Sequence, residues 1–366
     1  MSRAVSIIVP TYNERDNILP LVQRIDQAIG PEDYELLFVD DDSQDGTAEI
    51  AETLSRQYPI KVIVRRNQRG LASAVVAGIA EASGEIIGVI DADLQHPPEL
   101  LPTLIDAIGN GADIAVASRY VNGGRCEGWS KSRRIISRGA IVLAHLLLPK
   151  TRRFSDPMAG FFTFRRRVLD GAELQPTGYK ILLEILMEGS FGKLAEIPYT
   201  FRLRGSGRSK LNLREQVDYL RHLFQLMRRT GELRRFLIFC LVGGSGIVVN
   251  MGLLWLLTEL AGFPYLLSAA VGIECSIISN FVLNDFITFR DRRTSTGKPF
   301  LTRLLQFNLV SLAGIALNMA VLWLLTELVG LYYLLSNLCG IALAALWNYF
   351  VNSWWTWKHQ DEHCAE

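Results

Sequence analysis

The feature that most constrains this chain is a repeat in its second half. Residues Arg235 to Phe289 recur at Arg303 to Trp357. Asn250 answers to Asn318, Trp255 to Trp323, Tyr265 to Tyr333, Gly272 to Gly340 and Asn280 to Asn348, each 68 positions on. Trp255 to Leu260 returns letter for letter as Trp323 to Leu328. Repetition on this scale means two copies of one structural unit. Each copy holds two apolar runs of membrane-spanning length, expected at about 236–258, 265–288, 304–326 and 332–356. In hydrocarbon the backbone must satisfy its own hydrogen bonds, so such runs become helices. Two repeated hairpins then make an all-α four-helix transmembrane domain.

Basic residues set the expected orientation. Arg228, Arg229, Arg234 and Arg235 precede the first run, Arg290, Arg292, Arg293, Lys298 and Arg303 join the second to the third, and Lys358 follows the fourth. The connections Ala261–Pro264 and Val329–Leu331 carry no basic charge. Both termini and the middle connection are therefore expected in the cytoplasm, with the hairpins parallel about an axis along the membrane normal. The recurring Asn250, Asn280, Asn318 and Asn348 are expected to make interhelical hydrogen bonds, with a substrate path as the alternative. The repeat is expected to supply no titratable pair placed for the chemistry, since Glu259 and Glu327 fall at helix ends near the outer face.

Residues before about 232 have an ordinary soluble composition, and no basic stretch followed by an apolar core marks a secretory signal, so this half is expected in the cytoplasm. A formal net charge of +1 gives no reason to expect nucleic-acid binding. The five cysteines show neither metal spacing nor a disulfide framework. Strand-like runs at Val5–Pro10, Glu35–Val39, Lys61–Val64, Ile86–Ile90 and Ala112–Ala117 alternate with helical spacing at Asn17–Ile29, Gly46–Tyr58 and Leu71–Ala82. This pattern predicts an α/β, Rossmann-like domain on a parallel sheet, with ligands at the carboxyl ends of the strands.

Polar clusters fall at those ends. Ile86–Ile90 runs into Asp91, Asp93 and Gln95. In extended backbone these three point to one side, giving hard oxygen ligands suited to Mg2+ or Mn2+, while His96 faces away. Pro10–Glu14, Asp40–Ser43 and Ser118–Tyr120 lie at the ends of other strands. Asp45 before Gly46-Thr47 reads as a helix cap. Acidic groups for a metal and Arg119 for a phosphate suit a nucleotide diphosphate. Lys131–Leu148 is basic on one side and apolar on the other, like a helix lying in a membrane surface or against a core, and Leu213–Arg229 repeats the theme.

These stretches resemble the polyprenol-phosphate-mannose (dolichol-phosphate mannose) synthases of glycosyltransferase family 2. The matches are Val9–Glu14, Val39–Thr47, Gly70–Ala74, Asp91–Pro97, Ser118–Tyr120, Gly128-Trp129 with Arg133–Ala140, Ser155–Pro157 with Gly160-Phe161, and Phe201–Leu211. The second half resembles the GtrA-like membrane domain. The resemblance implies a GT-A glycosyltransferase domain over 1–212, an interfacial helix and linker over 213–233, and a membrane domain over 234–366.

It also implies roles. Pro10, Tyr12, Glu14, Val39 and Asp41 would hold the base and ribose of the donor. Asp91, Asp93 and Gln95, with Ala92 between them, would hold the metal on the diphosphate. Arg204 and Lys210 would belong to a loop closing over it. Arg119, Arg133 and Ser137 would receive the lipid phosphate, and Asp91, Asp93 and Arg119 would carry the chemistry. Asp156 would orient or hold a loop, since an anionic acceptor needs no base. The implied reaction is inverting, metal-dependent transfer of mannose from GDP-mannose to a polyprenyl or dolichyl phosphate at the bilayer. Alternatives are UDP-glucose as donor and a lipid-linked sugar transporter or flippase. A processive polysaccharide synthase is disfavoured by the missing Gln-x-x-Arg-Trp signature.

Overall fold

The computed structural model describes residues 4–30, 34–175, 178–202, 213–294 and 296–358. The chain forms two compact units, residues 1–230 and 231–366.

The first unit is built on strands β1 (Val5–Thr11), β2 (Tyr34–Asp40), β3 (Ile60–Val64), β4 (Ile86–Val89), β5 (Ile114–Ser118), β7 (Phe162–Arg165) and β8 (Leu194–Pro198). The seven lie in the order β3-β2-β1-β4-β7-β5-β8, and a two-stranded ribbon pairs β6 (Arg125–Cys126) with β9 (Thr200–Phe201). Helices α1 (Arg15–Ile29), α2 (Thr47–Leu54), α3 (Leu71–Glu81), α4 (Leu101–Gly109), α5 (Lys131–Leu147), α6 (Ile181–Glu188) and α7 (Leu213–Arg229) complete it. Alternate strand residues feed opposite faces, as the pleat requires. Ile7, Leu36 and Phe38 pack with Ile18 and Leu21 of α1 and Leu104 of α4. Ile8, Leu37 and Val39 pack with Ala72 and Val75 of α3 and Ile185 of α6.

The sheet is mixed, not parallel throughout. β7 runs antiparallel to both β4 and β5. The alternation of strands and helices breaks after β5, so no local period announces this strand. The antiparallel insertion sends the segment 155–160 across the carboxyl ends of β4 and β5. β1 pairs in parallel with both β2 and β4, with Thr11 opposite Asp40. The clusters after these three strands therefore share one rim.

In the second unit four helices are long and apolar enough to cross a membrane: Glu232–Leu260, Tyr265–Thr288, Phe300–Leu328 and Tyr333–Thr356. Each ends in a π-helical turn, and those turns recur at the repeat spacing: Leu256–Leu260 with Leu324–Leu328, and Asn284–Thr288 with Asn352–Thr356. Phe289 and its repeat mate Trp357 stack face to face, 4.3 Å apart and 10° from parallel.

One expectation for this unit is corrected. The four recurring asparagines do not join the helices through their carbonyl oxygens, which meet no hydrogen-bond partner among the described residues. Each packs over a glycine of the other helix in its hairpin: Asn250 over Gly272, Asn280 over Gly246, Asn318 over Gly340 and Asn348 over Gly314. A Cβ on Gly272 would lie 2.7 Å from Asn250 Oδ1, so only glycine admits this approach. The interhelical hydrogen bonds come from other residues. Ser276 donates to the Gly246 carbonyl at 2.8 Å, Trp347 to that of Val310 at 3.3 Å, and Asn308 to the Glu274 carboxylate at 2.8 Å.

The unit also holds buried ion pairs, which the apolar periodicity hid. Arg303 binds Asp285 through two bonds of 3.0 and 2.9 Å, and Trp357 Nε1 donates to the same carboxylate at 2.9 Å. In the other copy Ser353 stands where Asp285 stands in the first. There Arg292 bridges Ser353 Oγ at 2.8 Å and Glu232 at 2.9 Å.

Candidate active site

A cavity of about 250 Å3 opens at the rim of the first unit. Asp91, His96, Arg119, Arg133 and Ser137 line it, together with apolar Leu71, Ile136, Ala140, Met158 and Ile181. It thus joins groups expected to serve the metal with groups expected to serve a lipid phosphate. Pro10, Tyr12, Glu14, Val39 and Asp41 lie on the neighbouring strand ends and do not line it.

The chain past β4 is not extended. Leu94 has φ +61°, which a bulky side chain rarely adopts. The resulting turn lets Asp93 Oδ1 accept the Gln95 amide N–H at 3.1 Å. Gln95 donates its side-chain Nε2 to the Arg202 carbonyl at 3.0 Å, keeping its own carbonyl oxygen as an acceptor.

The turn also reverses the expectation for His96. Instead of facing away, the ring sits 3.3 Å (Nε2) from Asp91 Oδ2 and 3.0 Å (Nδ1) from the Tyr199 hydroxyl. Phe161, Tyr199 and Phe201 surround it. Asp91 is thereby oriented from behind, as outer partners orient metal-ligating carboxylates. Gly160 is required on its other side, because a Cβ there would lie 2.8 Å from Asp91 Oδ2.

Asp91 Oδ1 is buried and meets no hydrogen-bond partner among the described residues. An orphaned carboxylate oxygen is costly unless a cation completes it. With Asp93 and the Gln95 carbonyl, the donor set is hard oxygen, as Mg2+ or Mn2+ prefers. Among the described residues no three His, Cys, Asp or Glu side chains converge to hold a metal. A site of this kind needs further oxygens from a bound diphosphate.

The residues expected to hold the donor have partners that the sequence reading missed. Both Asp41 oxygens are engaged within the chain: Oδ1 by Arg65 Nε at 2.8 Å and Oδ2 by the Gly70 N–H at 2.7 Å. Arg69 lies 4.6 Å over the Tyr12 ring. Asn17 donates to Glu14 Oε2 at 2.6 Å. Val39 and Ala92 are buried, so their main chains are what a ligand can meet. Asp45 was expected to cap α2, but Gly46 holds the cap position, and Asp45, one residue earlier, accepts from Thr47 N at 3.0 Å. Burial pushes its carboxyl upward, but bonds from Thr47 and Arg15 outweigh this and hold it below the usual range. Arg204 and Lys210 lie outside the described residues.

Of the residues expected to receive the lipid phosphate, Arg119 forms a two-pronged pair with the fully buried Asp156, at 2.7 and 2.8 Å. Burial alone would favour the neutral guanidine, but Asp156 overrides it and the guanidinium stays charged. Glu196 of β8 in turn accepts the N–H groups of Ser155 and Asp156 at 2.8 and 3.1 Å, fixing the loop. Ser130 caps α5 by accepting from Arg133 N at 3.2 Å. Arg133 then lies 4.3 Å over Trp129, whose ring also faces Arg119 at 5.5 Å. Burial and the Arg119 charge both weaken the proton affinity of Arg133, so an anion beside it is favourable. Tyr120 donates to Ser137 Oγ at 2.8 Å, which turns the Ser137 proton towards another acceptor. Tyr179, Lys180 and Tyr219 also line the cavity.

The fold and this site define a glycosyltransferase of the GT-A type joined to a membrane domain, and comparisons agree. Residues 6–171 match the family described as Glycosyl transferase family 2, and residues 238–357 match GtrA/DPMS, transmembrane domain. The chain is an integral membrane protein. It is 48% identical over 353 residues to a dolichol-phosphate mannosyltransferase of Pyrococcus furiosus, spanning 96% of this chain and 99% of that one. A dolichol-phosphate mannosyltransferase of Saccharomyces cerevisiae is 39% identical over 62% of this chain and 88% of its own. The chain therefore belongs to the dolichol-phosphate mannosyltransferase family. Among solved structures, a glucosyl-3-phosphoglycerate synthase from Mycobacterium tuberculosis with Mn2+, UDP-glucose and phosphoglyceric acid aligns with TM-score 0.49. It shares 21% identity over 63% of this chain and 80% of that one.

Proposed function

We propose that the protein transfers mannose from GDP-mannose to the phosphate of a polyprenyl or dolichyl lipid at the cytoplasmic face of the membrane. One observation carries this reading. Among the described residues lining the cavity, Asp91 is the single carboxylate, and Asp156, the nearest candidate base, is locked onto Arg119. A hydroxyl acceptor needs a base, whereas a lipid phosphate is already an anion. The apolar lining beside Arg133 and Ser137 suits the start of a prenyl chain.

Asp91, Asp93 and Gln95 would hold Mg2+ or Mn2+. When bound, that cation neutralises charge on the departing diphosphate. His96 and Gly160 keep the Asp91 carboxylate in place. Arg133 and the Ser137 hydroxyl bind phosphate oxygens of the acceptor and aim one at the sugar carbon. Arg119, balanced by Asp156, supplies aligned N–H dipoles without adding net charge. A single displacement by the phosphate oxygen inverts the sugar carbon. The basic residues around the first and third spans support placing the active site in the cytoplasm.

The test is direct. Membranes containing the protein are incubated with labelled GDP-mannose or UDP-glucose, polyprenyl phosphate and Mg2+ or Mn2+. Label from GDP-mannose is expected in an acid-labile, organic-extractable lipid, and EDTA abolishes it. Incorporation from UDP-glucose alone would overturn the donor. Incorporation that survives EDTA would overturn the metal.

A further inference from the structure

We propose that a second copy of this chain docks on the outer face of the second and third spans, through reciprocal hydrogen bonds between Glu274 of each copy and Asn308 of the other.

The starting point is a carboxylate in the wrong place. Glu274 stands near the middle of the second span, Tyr265–Thr288, and it is exposed on the outside of the helices. Ionisable residues within spans normally face the bundle interior or a water-filled cavity. Asn308 of the third span, Phe300–Leu328, donates to Glu274 Oε1 at 2.8 Å. Among the described residues neither side chain has another partner. A second carboxylate oxygen, the Asn308 carbonyl and its second N–H therefore remain for a group outside the chain.

The repeat shows that this pair is not part of the common helix scaffold. Moving 68 positions, Asn308 answers to Cys240 and Glu274 to Ala342. The seam between the first and fourth spans thus carries a thiol and a methyl where the seam between the second and third carries an amide and a carboxylate. Helix packing that the two copies share does not need the polar pair.

Symmetry selects the occupant. Donor and acceptor lie side by side on one face, so the patch is self-complementary, as a two-fold interface requires. Copies inserted with the same orientation are related by an axis along the membrane normal. Such an axis keeps depth, and the hydrogen bond already holds Glu274 and Asn308 at one depth, so all four groups meet at one level. Because the other seam lacks the pair, each chain has one such face, and the assembly closes as a dimer. Around Asn308 the third span exposes Leu301, Leu305, Leu312, Ile315 and Met319, which with Asn308 follow a 4-3-4-3-4 spacing. Val271 and Ile278 are exposed one turn either side of Glu274. An apolar stripe of this period with a single asparagine is the pattern that fixes register and copy number between helices.

The test uses the full-length protein with one fluorophore at its C-terminus, reconstituted in lipid vesicles at equal protein density. Photobleaching steps count the copies for wild type, Glu274→Leu, Asn308→Leu, Glu274→Gln and Cys240→Leu. Wild type should bleach mainly in two steps. Glu274→Leu and Asn308→Leu should each weaken dimerisation by roughly tenfold or more. Glu274→Gln still accepts from Asn308 and should stay within about threefold of wild type, and Cys240→Leu, at the mate position, should match wild type. Mixing Glu274→Leu with Asn308→Leu separates docking from folding. A mixed pair regains one of the two cross-copy contacts, which neither variant makes with itself, so its dimer fraction should exceed that of either variant alone. A monomeric wild type would overturn the proposal, leaving the pair to lipid or to another partner. Wild-type dimerisation by both leucine variants would overturn it too, as would a mixture that shows no recovery.

Discussion

The two units bury polar groups in opposite ways. In the catalytic unit, the buried Arg119 and Asp156 are spent on one another, while Asp91 Oδ1 at the cavity meets no hydrogen-bond partner among the described residues. In the membrane unit, charges are concentrated where the ends of the repeats meet, and they are paired: Arg303 with Asp285, Arg292 with Glu232. Its asparagine oxygens face glycines across each hairpin. The first unit keeps an unsatisfied oxygen where a cation and a substrate can complete it. The second uses polar groups to lock helices that share no hydrophobic drive in lipid. Breaking a buried polar group should therefore cost turnover in one unit and stability in the other.

The sharpest test is Asp91→Ala. Turnover should fall by roughly a hundredfold or more, because charge stabilisation on a leaving diphosphate is lost, while the melting temperature changes little. Single-turnover transfer measures this, and near-normal rates in a folded protein would sink the metal assignment. In the other unit, Asp285→Asn leaves Arg303 buried without its counter-charge. It should destabilise the membrane unit by about 3–5 kcal/mol. Thermal unfolding in detergent reads the loss, and GDP binding should persist; an unchanged melting temperature would mean the pair is ornamental.

Arg133→Ala probes the acceptor wall. Removing a charge-assisted contact of about 1.5–3 kcal/mol should raise the KM for lipid phosphate more than tenfold and leave the donor KM near wild type. A rise in donor KM alone would reassign Arg133. Gly272→Ala tests the asparagine packing: the added methyl meets Asn250 and should cost about 1–3 kcal/mol, visible as a lower melting temperature with normal kcat. The smallest effect is expected from ending the chain after Thr230, the limit of the first unit. Transfer to a short, detergent-dispersed acceptor should stay within roughly tenfold of full length, with a larger loss on long-chain lipid in vesicles. A folded, metal-binding truncation inactive on the short acceptor would give the membrane unit a catalytic share.

The amino-acid sequence by itself determined the features that rest on local period or local charge. Apolar runs repeating at 68 positions announced four spans in two copies, and the structure has them. Polar clusters after Val9, Val39 and Ile90 announced a rim of strand ends, and the parallel pairing of β1 with β2 and β4 assembles it. The tertiary structure alone decided what depends on pairs distant along the chain. The antiparallel β7, the Asp156 lock on Arg119 and the Arg65 hold on Asp41 have no spacing that a periodic reading could detect. His96 was misplaced for a different reason: an extended register was assumed where Leu94 adopts the left-handed region, and that single φ swings the ring back onto Asp91. Asp285 and Arg303 lie 18 positions apart at the ends of two apolar spans, so hydropathy shows each as an interruption and only packing makes them a pair.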